Sequence, residues 1–130
     1  MPVELLRAPA LDPTVPYAYA ARAAGLVWTA GACPLDREGR VVHPGDVAGQ
    51  AAQVLDNLVE QLAAAGCALG DVVSTTVHVA SSERADLVAA WEVVRTGFGD
   101  HDPPSTLLGV TVLGYPGQLV EVTAVAVAPA

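Results

Sequence analysis

Between Asp46 and Ala65 the apolar residues Val47, Ala51, Val54, Leu55, Leu58, Leu62 and Ala65 recur at spacings of three and four, while Gln53, Glu60 and Gln61 take other faces. That period predicts an amphipathic helix, which must bury its stripe against another element. Asp46 is placed to accept from the free amides at its start, and Gly66 suits the left-handed position just past its end. Beyond it the period changes to two. Val72 to Ala80 alternates as a strand, with Val73, Thr75, Val77 and Val79 on one face and Ser74, Thr76, His78 and Ala80 on the other. A second helix, capped by Ser82 and closed by Gly97 and Gly99, turns Leu87, Trp91, Val94 and Phe98 inward.

The remaining segments supply strands. Residues 3–6 are a short apolar piece, and Pro9, Pro13 and Pro16 impose a loop leading to Tyr17. Ala18 to Ala30 reads as two short strands hinged at Gly25, followed by turns at Gly31, Pro34 and Gly39. Two last strands, roughly Ser105 to Leu113 and Gln118 to Val127, flank the turn Gly114-Tyr115-Pro116-Gly117. The order ββ, α, β, α, ββ predicts an α+β fold, with both helices covering one face of a single sheet in one domain spanning 1–130. The uncovered face would carry Val120, Val122, Ala124 and Ala126 or their neighbours, too extensive an apolar surface for a monomer to leave wet. A chain of 130 residues with 52% hydrophobic but only 5% aromatic content has small side chains to pack, so association would add core.

Charge excludes one class of partner. Six basic residues, all Arg, against fourteen acids give −8, and Arg7, Arg22, Arg37, Arg40, Arg84 and Arg95 form no run, which argues against nucleic acid. Cys33 and Cys67 make neither a disulfide framework nor a zinc pattern, and His43, His78 and His101 lack ligand spacing. No leader or membrane-length apolar stretch is read from the sequence, so the cytoplasm is the expected compartment.

Several strings then acquire a common meaning: Val15-Pro16-Tyr17; Thr29-Ala30-Gly31-Ala32-Cys33-Pro34; Asp46-Val47-Ala48-Gly49-Gln50 with Leu55-Asp56-Asn57; Gly70-Asp71-Val72-Val73 with Thr75-Thr76-Val77; Pro103-Pro104-Ser105; and Val120-Glu121-Val122 with Ala124-Val125-Ala126-Val127. In order and spacing, from Pro16 to Val127, they resemble the YjgF/RidA family. The resemblance implies a chorismate-mutase-like α+β subunit, a homotrimer whose sheets form a central barrel, and small-molecule clefts between subunits. It further implies hydrolysis of enamines and imines to keto acids and ammonia, with no metal or cofactor.

By that resemblance Tyr17 and Glu121 are the catalytic candidates, and Gly31, with its neighbours Ala30 and Cys33, contributes a backbone amide to the pocket. The family's carboxylate-clamping Arg falls on Ser105, and Leu107 stands where many members have Cys. Two charge-assisted contacts become one neutral hydroxyl, so binding of simple 2-imino acids should weaken by an order of magnitude or more, at roughly 1.5–3 kcal/mol per contact. The expected function is therefore a RidA-like enzyme with an altered substrate, of the kind recruited to specialised metabolism. The alternative is a non-catalytic trimer that binds a metabolite or a protein. Each residue also has a plain reading: Glu121 as a subunit-bridging carboxylate, Tyr17 as loop packing, Ser105 as a strand-start serine, Cys33 as a small buried hydrophobe.

Overall fold

A computed structural model describes residues 2–130. Its strands are β1 (Glu4–Leu6), β2 (Ala20–Ala23), β3 (Leu26–Thr29), β4 (Val72–Val79), β5 (Ser105–Gly109) and β6 (Val120–Val127), and its helices are α1 (Val47–Ala64) and α2 (Arg84–Phe98). The strands form one mixed sheet in the order β1-β2-β3-β6-β4-β5. Parallel strands need a crossover, and α2 supplies it between β4 and β5; every other pairing is antiparallel. The β2–β3 hairpin turns on Ala24 and Gly25, with φ of 51° and 79°, the pair of positive values that a two-residue turn matching strand twist requires.

Both helices lie on one face of the sheet. Ala51, Val54, Leu58 and Leu62 of α1 and Ala90, Val94 and Phe98 of α2 pack on Val27, Val77, Val79, Val120, Val122, Ala124 and Ala126. The even-numbered apolar residues of β6 are thus core, and their neighbours Glu121, Thr123 and Val125 face the uncovered side with Trp28, which is 43% exposed. Strand β4 departs from strict alternation. A register shift between Val72 and Ser74 turns Val73 out to 43% exposure, so only Thr75, Val77 and Val79 keep the inward face expected of them.

The ends of the helices refine the sequence reading. Asp46 accepts from the Gly49 amide at 2.9 Å, and Gly66 takes φ of 76° just past the α1 C-cap. Ser82 does not cap α2. The chain enters the helix at Glu83, and the preceding Ser81 does the work, its Oγ accepting from the Glu83 amide at 3.0 Å and donating to Asp86 at 2.7 Å. Gln61 is not on a solvent face either: it is 1% exposed, because its amide donates to the Tyr19 and Ala30 carbonyls at 3.0 Å each. A buried amide is stable only when paired in this way.

Candidate active site at the start of strand β6

The segment 30–35 runs beside β6 as a bridge, Ala32 exchanging both backbone hydrogen bonds with Val122. Helix α1 holds its other edge. Gln61 takes the Ala30 carbonyl, and Asn57 donates to the Cys33 and Leu35 carbonyls at 2.8 and 3.0 Å, itself fixed by Gln53 at 3.0 Å. The Ala30 and Leu35 carbonyls of this irregular segment, which would otherwise be stranded, are satisfied by a helix face, which makes the segment rigid. The Asn57 position of the Leu55-Asp56-Asn57 string is thereby structural.

Beside this rigid segment sits Glu121. Its Oε1 accepts from Gln118 Nε2 at 3.1 Å and from the Cys33 thiol at 3.3 Å, the thiol's one hydrogen being shared with the Gly31 carbonyl, also at 3.3 Å. Its Oε2 lies on the bare Cα of Gly31, where an added Cβ would come within 2.4 Å. Any side chain at position 31 would displace the carboxylate. Among the described residues nothing accepts from the Gly31 amide. Burial, and then the Glu121 carboxylate, pushes the Cys33 thiol up to about 12, so it is a neutral donor near pH 7 and not a thiolate.

Tyr17 stands on the same side. Arg7 holds its carbonyl and that of Val15, and its hydroxyl pairs with that of Tyr115 at 3.0 Å. Burial first, then the Tyr115 hydroxyl, pushes the Tyr17 phenol well above the ordinary range, so it donates as a neutral group. Between Tyr17, Gly31, Cys33 and Asn57 lies a cavity of about 20 Å³, room for roughly one water. A single chain thus gathers Tyr17, Ala30, Gly31, Cys33 and Glu121 but encloses no substrate-sized volume among them.

Ser105 and Leu107 lie elsewhere. In register, Ser105 stands opposite Thr75 and Thr75 opposite Ala124, on the helix-covered face and three residues along β6 from Glu121. The Ser105 and Thr75 hydroxyls share a hydrogen bond of 2.5 Å. Leu107 is half-buried against the core. Beside Thr75 a larger cavity, about 300 Å³, opens between Trp91, Phe98 and His101. His101 Nε2 donates to the Val72 carbonyl at 2.8 Å, and His78 Nδ1 lies 3.3 Å from the Glu121 carbonyl.

Two residues of the cluster, Tyr115 and Gln118, escape a reading that treats 114–117 as a turn and 118 as the start of a strand. A signal for Gln118 exists: it is in phase with Val120, Val122, Ala124 and Ala126, so a polar side chain falls where the core face demands an apolar one.

A mixed sheet backed on one face by two helices, with a half-buried acid, two phenols and a free backbone amide at one end, defines an α+β subunit of the kind that presents an open polar edge instead of a closed single-chain pocket. The chain belongs to the YjgF/RidA family: the family described as Endoribonuclease L-PSP matches residues 7–128. It is 34% identical over 114 residues to a 3-aminoacrylate deaminase, RutC, of Acinetobacter baylyi, covering 88% of each chain. It is 35% identical over 112 residues to a 2-iminobutanoate/2-iminopropanoate deaminase of Mus musculus, covering 86% of this chain and 81% of that one. Its fold matches the YjgF gene product of E. coli with a TM-score of 0.83 at 29% identity, over 95% of this chain and 98% of that one. Imine and enamine deaminases are therefore its relatives. Among the described residues no helix is long and apolar enough to cross a membrane.

Proposed function

We propose that this chain is a single-domain, cytoplasmic imine or enamine hydrolase that works without a cofactor, at clefts completed between the subunits of a homotrimer. The observation that carries this reading is the state of Glu121, with one oxygen held by two donors and the other against Gly31, beside a free amide and the Tyr17–Tyr115 hydroxyl pair. In hydrolysis Glu121 takes a proton from water as the oxygen attacks the C=N carbon. The same proton then goes to nitrogen to give a carbinolamine; Glu121 next takes the remaining hydroxyl proton and returns it to nitrogen as the C–N bond breaks and the C=O bond forms, which releases a carbonyl compound and ammonia. An enamine enters the same sequence after proton transfer to its carbon. Tyr17 and the Gly31 amide donate to the substrate.

The placement of Ser105 supports this assembly. Lying on the opposite face from Glu121, it meets that acid only if a second copy brings it there, and the uncovered face with Trp28, Thr123 and Val125 is the surface such copies would bury. Trimers formed this way would join their sheets into a barrel.

The substrate is expected to differ from a simple 2-imino acid. The hydroxyl of Ser105 is engaged by Thr75 and carries no charge, where an Arg fork would make two charge-assisted bonds. The test is turnover of 2-iminobutanoate generated in place, by wild type and by Ser105→Arg. Weak wild-type turnover that rises about tenfold or more in Ser105→Arg is expected; strong wild-type turnover that the substitution leaves unchanged would sink the altered-substrate reading.

The engaged Ser105 hydroxyl also favours a second reading, a non-catalytic binder that kept the scaffold. Ligand binding that survives Glu121→Ala, with no turnover of any imine or enamine by wild type, would establish it. The endoribonuclease in the family's description is not carried over, because a chain of net charge −8 with scattered arginines offers no counterion-release term to a phosphate backbone.

A further inference from the structure

The turn between β5 and β6 delivers to the site a residue that imine hydrolysis by Glu121 leaves without a role. Gln118 is 3% exposed, and its amide can sit only one way round. Its Oε1 accepts from the Tyr115 amide at 3.2 Å, which directs Nε2 to the Val120 carbonyl and to Glu121 Oε1, both at 3.1 Å. The flipped amide would face an N–H with its own donor and two acceptors with its oxygen. Glu121 Oε1 takes the Cys33 thiol as well, whereas among the described residues no group donates to Oε2.

We propose that Gln118 is a positioning residue that fixes Glu121 by its Oε1, leaving Oε2 as the oxygen that exchanges the proton with water and nitrogen. The role rests on the reading of Glu121 as the acid/base group. A carboxylate with both oxygens free samples rotations about its terminal bonds, and a proton acceptor must hold its lone pair on the reacting water to within a fraction of an ångström. Two donors on one oxygen remove that freedom. The same amide also holds the backbone of Tyr115, whose hydroxyl meets Tyr17. Gln118 therefore sets the acid and one of the phenols from a single buried group.

The experiment compares wild type with Gln118→Met, equal in length but without a donor, and Gln118→Asn, which keeps a buried amide one methylene too short to span Tyr115 and Glu121. Removing a hydrogen bond to a charged group should lower kcat about tenfold in both, with KM within about twofold. A substrate-free measurement accompanies it: the rate of Cys33 alkylation by iodoacetamide at fixed pH, in a Cys67→Ala background. The Gln118 amide eases ionisation of the thiol and Glu121 opposes it, so alkylation slows in Gln118→Met and speeds up in Glu121→Gln. Turnover with unchanged kcat and unchanged alkylation in both Gln118 variants overturns the positioning role alone. Failure of wild type to turn over any 2-imino acid or enamine overturns the acid/base reading and the positioning role with it.

Discussion

Cys33 Sγ lies 3.3 Å from Glu121 Oε1 and donates to it, which reverses the usual suspicion about a cysteine beside a carboxylate in a family of hydrolases. A nucleophilic thiolate needs a neighbouring cation or helix N-terminus; here burial and an acid hold the thiol protonated. Replacing Cys33 with Ser keeps a donor of similar size, so Cys33→Ser should retain kcat on an imine substrate to within roughly threefold, the scale of a partly preserved hydrogen bond. A fall of about a hundredfold would instead put a thiolate in the reaction path.

Gly31 gives a sharper test of the site. The Cβ introduced by Gly31→Ala would lie 2.4 Å from Glu121 Oε2 and 2.5 Å from its carboxyl carbon, and Gln118 and Cys33 leave the carboxylate little room to retreat. Misplacing a reacting group by about an ångström is worth on the order of a hundredfold in rate. Steady-state kinetics should show kcat lowered to that extent in Gly31→Ala while the urea midpoint shifts modestly. Unimpaired kcat would mean that Glu121 does not act from this position.

What was legible in the sequence was what local periodicity controls. The stripe of α1, its Asp46 cap and Gly66 stop, and the Leu87–Phe98 stripe of α2 each depend on neighbours within a turn or two, and they appear as expected. Gln61 and Gln118 were illegible for the opposite reason: each looks like a surface amide, and each is buried because it serves backbone groups supplied by the rest of the fold. The β4 bulge at Val73 likewise has no signature within β4 itself, since it arises from pairing with β6. Family resemblance groups Tyr17, Gly31, Cys33 and Glu121, and the fold brings them together. It leaves Ser105 and Leu107 on the other face, a separation that no linear pattern reveals.

The buried amide of Gln61 makes a prediction about stability. Gln61→Leu fills a similar volume but strands the Ala30 carbonyl, while the Tyr19 carbonyl loses one donor and keeps the Ala30 amide at 2.9 Å. Leaving a buried acceptor unpaired costs about 1–3 kcal/mol, so the variant should lose roughly 1–3 kcal/mol in urea unfolding. A loss under about 0.5 kcal/mol would show that water reaches the Ala30 carbonyl.

The thiol and phenols of the site predict how the fold meets alkaline pH. Cys33 and Tyr19 are pushed up to about 12, both mainly by burial, and Tyr17 is raised as well, against ordinary values of 9.0 for the thiol and 10.0 for the phenols. The folded chain thus keeps protons that the unfolded chain releases. The stabilisation is complete below pH 9, where both states are protonated, and it is lost as pH rises toward 12 because ionisation increasingly favours the unfolded state. Urea midpoints should be level up to about pH 8, begin to fall near 9 as the thiols engage, and fall more steeply beyond 10 as the phenols join. Since thiols lead the decline near pH 9, and Cys67 is also raised by burial, Cys33→Ser should make that first part shallower without abolishing it while leaving the steeper part in place. An equal slope in wild type and Cys33→Ser across that window would show that Cys33 is not shielded from water in the folded protein.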